Sequence, residues 1–587
     1  MSVRKGWILA VLVIFALAGL GLVALGIVFS EKKLRVEPAS TLVLDFADTV
    51  IEDLPTAGNG RFFFRDTPTL WDYLHALDRA ADDPHVEAVL LRIDSVDMGW
   101  AKAEELRTKL AEIQERGTPV IAYLEGGGDL EYALASAAGV IYMAPNTELD
   151  LDGLASYETF FKGSLDKLGV KADFENIGEY KSAGEPFTRT SMSDAAREAS
   201  ASLLDATWSD LLGAIGESRD LDSAAVAALI DRGPFNSVQA RAAGLVDSVL
   251  YQDELEDLLP GGAGGTQVLL EEYLDVIHAE LPVNVGPRIA VVHASGTIVA
   301  GESGTDPLWG RTIGADTFLD ALDEAREEPG VRAIIVRIDS PGGEVYASHL
   351  MWRGVREAAR ELPIVASFSD LAASGGYYVA MGADTVLADR ATLTGSIGVI
   401  GGKFDLSGLY SKLGIGVEVQ SRGANALFQS SLREFTPAER ERYRSDMFEE
   451  YRTFVGIVAE NRAASVDSID RVARGRVWTG GQAAERGLVD GIGGLEQAVA
   501  VARTMAGIEP DADVHVETFP RLKRTFLQQL VNRVLDEEDL GGMEGGIHAS
   551  AGWPQQLMRR ELALAGGLAR LAGGKRLALL PFTIEIR

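Results

Sequence analysis

The sequence contains no cysteine. That absence excludes disulfides, thiolate metal ligands and a cysteine nucleophile. Histidine is scarce, with seven residues at positions 75, 85, 278, 293, 349, 515 and 548. None pair at His-x-x-x-His spacing, so no zinc site of that type is expected. Positive charge is also short. Lys and Arg number 55 against 87 Asp and Glu, a formal charge of -32. A surface that acidic argues against nucleic acid or anionic lipid as the main partner.

What is present is a long chain of ordinary globular composition. At 587 residues it exceeds one core, so two or more domains are expected. Arg4 and Lys5 precede an uncharged run from Trp7 to Phe29. At about 1.5 Å per residue that run suffices for one membrane-spanning helix. Ser30-Glu31-Lys32-Lys33 follows rather than a small-residue cleavage site, so residues 1–30 read as an uncleaved anchor. The short N-terminal side favours an exported body.

Beyond the anchor, strand patterns alternate with helix patterns. Strands are expected at Thr41–Phe46, Ala88–Ile93 and Pro119–Leu124, with helices at Thr69–Ala81 and Ala101–Arg116. Such alternation implies βαβ units and a largely parallel sheet. The order then returns. Val86–Ser95 reappears as Val331–Ser340, 245 residues later, and Lys167-Leu168-Gly169 reappears as Lys412-Leu413-Gly414 at the same offset. Gly244-Leu245-Val246-Asp247 recurs as Gly487-Leu488-Val489-Asp490. The expectation is a duplicated α/β domain, with repeats over 40–258 and 285–510 joined near the glycine-rich stretch 259–265. The extension 511–587 has no such pattern. Its tail from Met558 to Leu580 reads as packing on the protein's own body, with a surface amphipathic helix as the alternative.

The chemistry lies where the repeats differ. The second copy carries Ala372-Ala373-Ser374-Gly375-Gly376, between a β-type run and a helix-like run. A serine on such a turn suits a nucleophile, with the Gly375 N–H beside it as an oxyanion donor; small residues fitting a packed turn is the plainer reading. The same copy carries Asp339-Ser340-Pro341-Gly342-Gly343, whose glycines can turn N–H groups into a cleft. The first copy has Asp129 in place of Ser374, and Asp94-Ser95-Val96-Asp97-Met98 where the second has Asp339-Ser340-Pro341-Gly342-Gly343.

A serine nucleophile needs a base. His349, His515 and His548 are poorly placed for it. Lys181, in Glu179-Tyr180-Lys181-Ser182, is the other candidate, if burial keeps it neutral. Its counterpart in the second copy is Ala426, so each half keeps what the other lacks. A surface lysine beside Glu179 and Glu185 is the alternative. Ser396, in Thr394-Gly395-Ser396-Ile397-Gly398, is a third polar group that could aim the amine.

Together, and in this order, these segments resemble the signal peptide peptidase A family in its long, two-repeat form. The resemblance spans about residues 40 to 505. It implies two tandem Clp/crotonase-like α/β domains after a membrane helix, and a Ser-Lys dyad. Ser374 would be the nucleophile, Lys181 the general base and Ser396 the residue orienting the lysine. Backbone N–H groups of Gly342, Gly343 and Gly375 would form the oxyanion hole. No cofactor and no metal are implied. The resemblance further implies a homotetramer on the outer side of a bacterial inner membrane, acting on apolar peptides such as signal-peptide remnants. Two other expectations compete: a crotonase-type acyl-CoA enzyme, and a membrane-anchored scaffold that has lost catalysis.

Overall fold

The computed structural model describes residues 35–47, 49–54, 67–280, 286–306, 310–509, 512–521 and 576–579. The expected anchor at 1–30, His548 and residues 558–575 of the tail lie outside the described residues. Among the described residues no helix is long and apolar enough to cross a membrane.

The expected elements form where the apolar periodicity placed them. The first helix runs Leu70–Asp82, and a capping box between Thr69 and Asp72 starts it. The strands Ser40–Phe46, Val86–Ile93 and Val120–Leu124 are parallel neighbours. They belong to a six-stranded sheet with Val140–Met143 and Ser248–Val249 on one side and Gln267–Leu269 on the other. Every neighbouring pair in that sheet is parallel. The central strands read as continuous apolar runs because both faces are covered.

A second sheet holds the corresponding strands of the second half. Arg288–Ser295, Val331–Ser340, Ile364–Ala373, Thr385–Ala388 and Gly491–Ile492 pair in that order, all parallel, with His515–Phe519 on the far side of Arg288–Ser295. The connectivity matches that of the first sheet strand for strand. Leu393–Gly395 continues the pairing along the end of Ile364–Ala373, beside the glycine-serine turn.

A third sheet brings the halves together. Its seven strands run in the order Gly304–Asp306, Gly310–Gly314, Thr297–Val299, Gly342–Glu344, Arg576–Leu579, Val399–Asp405 and Lys171–Ile177. Lys171–Ile177 is the contribution of the first half, antiparallel to Val399–Asp405 over its whole length. The hydrophobic core is continuous across the halves as well. Val89 and Leu106 share a cluster with Ile335, Val365 and Ala498. The tail is a strand rather than a helix at residues 576–579.

Candidate active site

The strand Ile364–Ala373 runs directly into Ser374, which caps the helix Gly375–Ala380. Ser374 has φ 55 and ψ -110, a conformation an L-residue rarely adopts. Strain of this kind persists only where the surroundings enforce it. Here the Ser374 N–H donates to the Gly395 carbonyl at 2.8 Å, and the Tyr378 N–H donates to the Ser374 carbonyl at 2.9 Å. The turn leaves Ser374 wholly buried in this state.

The Gly342-Gly343 turn lies against it. A Cβ placed on Gly375 would sit 3.0 Å from the Gly343 nitrogen and 3.1 Å from the Gly342 Cα. Glycine at 375 is what lets the two turns touch. The glycine turn is itself tied down. Gly342, with φ +96, donates its N–H to Ser340 Oγ at 3.1 Å, and Ser340 Oγ donates to the Gly296 carbonyl at 2.7 Å. The Gly342 N–H therefore already has a partner inside the protein.

Lys181 arrives from the first half. After Ile177, at the end of the strand paired with Val399–Asp405, the chain turns at Gly178 and follows the backbone of residues 474–475. The Tyr180 N–H donates to the Arg474 carbonyl at 2.9 Å. A Cβ on Gly475 would fall 2.5 Å from the Lys181 nitrogen and Cβ. The same loop holds Ser396, whose N–H donates to the Arg476 carbonyl at 2.7 Å. Ser396 too is held at positive φ, 51. One loop thus sets the position of both groups.

The three side chains converge. Lys181 Nζ lies 2.7 Å from Ser374 Oγ, 2.8 Å from Ser396 Oγ and 2.8 Å from the Ser396 carbonyl oxygen. Lys181 is 1% exposed, which sets aside the surface-lysine reading. Glu179 pairs with Arg474, and Glu185 accepts from the Ser193 N–H, so neither carboxylate is beside the amine. Burial alone pushes the Lys181 amine well below its ordinary value of 10.5. No histidine among the described residues reaches Ser374. His349 Nδ1 is 2.9 Å from the Tyr378 hydroxyl, and His515 stands exposed on an edge strand.

The first half has no such convergence. Asp129, at the place of Ser374, is buried, and burial with help from Asp152 pushes its carboxyl up to about 7. Ala426, at the place of Lys181, is exposed on a loop. The first half contributes instead through Lys102. Its ammonium contacts Asp370 at 2.6 Å and Asp339 at 3.0 Å, at the bases of the serine turn and the glycine turn. The buried Arg337 beside them pairs with Glu52 and Glu105, each at 2.6 Å. Sequence reasoning missed Lys102, Ser340, Gly178 and Gly475. Gly475 offers only an isolated glycine between two arginines, which signals a turn and not its neighbour.

A buried serine, a buried lysine and adjoining glycine turns on a mixed α/β scaffold define the class of a serine peptidase. The comparison with known proteins agrees. Residues 112–261 and 356–509 match Peptidase family S49, and the chain belongs to that family. It is 36% identical over 440 residues to "Serine protease SPPA, chloroplastic" of Arabidopsis thaliana, covering 73% of this chain and 64% of that one. It is 32% identical to "Protease 4" of Salmonella typhi, covering 75% and 72%, and 30% identical to "Protease 4" of Haemophilus influenzae, covering 78% and 77%.

Proposed function

We propose that this chain is a Ser-Lys endopeptidase with Ser374 as nucleophile and Lys181 as general base. The observation that carries the reading is the 2.7 Å approach of Lys181 Nζ to Ser374 Oγ in a site without a neighbouring carboxylate. A neutral amine has two N–H groups and one lone pair. The Ser396 carbonyl can only accept, and Ser396 Oγ takes the second N–H. The lone pair is left facing the Ser374 O–H. Ser396 is thereby the residue that aims the base.

The reaction follows from that arrangement. Lys181 takes the Ser374 proton as Oγ attacks the peptide carbonyl. Negative charge develops on the carbonyl oxygen, and the N–H groups of Gly343 and Gly375 receive it. Gly342 serves the turn's conformation, because its own N–H is committed to Ser340. The Lys181 ammonium then protonates the leaving amine. Water, deprotonated by Lys181, hydrolyses the acyl-enzyme and restores the site. No metal or cofactor enters these steps.

The wider reading is a membrane-anchored enzyme acting on apolar, extended peptides such as signal-peptide remnants. The run Trp7–Phe29 supports the anchor, and its short N-terminal side supports an exported body. The matching strand order of the two parallel sheets supports two diverged Clp/crotonase-like repeats. A homotetramer completes the proposal. An acyl-CoA enzyme would have no use for the buried lysine, and an idle scaffold none for strain at Ser374.

The test is hydrolysis of a fluorogenic apolar peptide by wild type, Ser374→Ala and Lys181→Ala. Both variants should lose about a thousandfold or more while staying folded. Near-full activity in Lys181→Ala would place the base elsewhere.

A further inference from the structure

The loop that seats Lys181 and Ser396 ends at Arg476, where the two halves are fastened beside the site. The Arg476 carbonyl accepts the Ser396 N–H at 2.7 Å. Its side chain meets the first half. The guanidinium lies 4.8 Å from the centre of the Tyr180 ring and 4.3 Å from that of Trp478. Arg476 Nη1 donates to Glu198 Oε1 at 2.6 Å, and the Tyr180 hydroxyl donates to Glu198 Oε2 at 3.0 Å. Tyr180 is the residue before Lys181, and Glu198 stands on the helix Asp194–Arg219, so both belong to the first half. One turn further along that helix, the Ser202 carbonyl and hydroxyl accept from Gln482 Nε2 at 3.2 and 3.1 Å. The same helix face is thereby docked on the second half.

Each partner in this cluster suits a planar cation. Guanidinium stacks on aromatic faces and donates to a carboxylate in its own plane. The Arg476 side chain is 14% exposed, so solvent screens these contacts less than it would on an open surface. No chemical step uses a cation here, because Lys181, Ser374, Ser396 and the glycine N–H groups complete the reaction. The site does need a fixed spacing. Lys181 Nζ has to reach Ser374 Oγ and Ser396 Oγ at once, although its backbone comes from the other half. Arg476 grips the residue before Lys181 with its side chain and grips Ser396 with its backbone.

We propose that Arg476 is a positioning residue for the base: stacked between Tyr180 and Trp478 and paired with Glu198, it holds Lys181 and Ser396 in register across the two halves. The inference rests on the Ser374–Lys181 reading above. Arg476 touches no reacting atom and acts only through its neighbours. Without the clamp the Lys181 segment loosens, and water reaches an amine that is now 1% exposed. Two consequences follow together. The lone pair loses its aim at Ser374, and the amine regains part of its hydration, which moves its pKa back up toward 10.5.

The experiment uses the full-length protein and four variants: Arg476→Ala, Tyr180→Leu, Tyr180→Phe and Arg486→Ala. Hydrolysis of a fluorogenic apolar peptide is followed across pH, and Ser374 is labelled with a fluorophosphonate. Arg476→Ala and Tyr180→Leu should each lower kcat by about a hundredfold, with KM within about twofold of wild type. The acid limb of their pH–rate profiles should move to higher pH. Tyr180→Phe keeps the ring and should recover most of the rate lost in Tyr180→Leu. Arg486 lies 3.9 Å from the centre of the same Trp478 ring, so Arg486→Ala removes a like contact away from Tyr180 and should leave kcat and the profile unchanged. If Arg476→Ala does not fold, Tyr180→Leu decides alone. Wild-type kcat and an unmoved acid limb in the folded variants would overturn the inference, as would a loss in KM alone or an equal loss in Arg486→Ala. If wild type is not labelled at Ser374, the catalytic reading itself fails and the inference falls with it.

Discussion

Lys102 of the first half binds Asp370 of the second, Nζ to Oδ2 at 2.6 Å. Asp370 lies on the strand that delivers Ser374, and it also accepts the N–H groups of Gly99, Ala101 and Lys102 at 3.1 Å each. The same ammonium reaches Asp339, at the foot of the glycine turn. Burial works against the Lys102 charge, but Asp339 and Asp370 outweigh it and hold the amine above its ordinary value. A cation from the first half thus braces the serine turn and the glycine turn of the second.

Replacing Lys102 with methionine keeps the volume and removes the charge. Two largely buried carboxylates then face each other without their counterion. The loss should be about 3–5 kcal/mol of stability, read from the denaturant midpoint. A loss below about 1 kcal/mol would mean the pair behaves as a surface ion pair.

Activity should depend on pH through Lys181. The base works only when neutral, and burial lowers its pKa. The rate should rise as pH rises through that lowered value and level off well before 10.5. Lys181→Arg should be inactive at every pH, because guanidinium stays charged. Stability carries the same sign. The unfolded chain binds a proton at Lys181 that the folded chain excludes, so burying this lysine costs stability below its unfolded pKa. Lys181→Met should therefore have a higher Tm than wild type at neutral pH, with the difference shrinking as pH approaches 10.5. An unchanged or lower Tm at neutral pH would show that the lysine is charged in the folded state.

Ser396→Ala removes one of the groups that orient the amine and leaves the Ser396 carbonyl in place. The expected effect is a fall in kcat of about tenfold to a hundredfold, the worth of one buried hydrogen bond, with KM little changed. The acid limb of the pH–rate profile should move as well, since Ser396 Oγ touches the titrating nitrogen at 2.8 Å. A change in KM alone would assign Ser396 to substrate binding instead.

Gly475→Ala tests the loop that seats the lysine. The new methyl would meet the Lys181 backbone at 2.5 Å, and Gly475 has φ +81. Lys181 must shift, and a displacement of this kind costs about a hundredfold in rate. Gly487→Ala, at a φ of +68 with open space around it, is the control for backbone strain alone. Equal activity in the two variants would remove Gly475 from the site.

Much of the site was legible because the chain carries its own comparison. Glycines 342 and 343, Ser374 and Ser396 stand in the second half, Lys181 stands in the first, and the positions at the 245-residue offset carry other residues, Asp129 for Ser374 and Ala426 for Lys181. The strands and helices were legible for a local reason: apolar spacing of two or about 3.6 residues depends only on neighbours in sequence.

What the sequence by itself determined is the set of elements, their repeated order and the residues able to do chemistry. Tertiary structure alone decided how they meet. Lys181 reaches Ser374 across 193 residues because Lys171–Ile177 pairs with Val399–Asp405, and that register is set by contacts no local pattern encodes. Packing also decided that Lys181 is dry, that the Gly342 N–H is taken by Ser340, and that Arg576–Leu579 lies between Gly342–Glu344 and Val399–Asp405. A lysine's protonation and a strand's neighbours are properties of surroundings, and the surroundings exist only once distant segments are brought together.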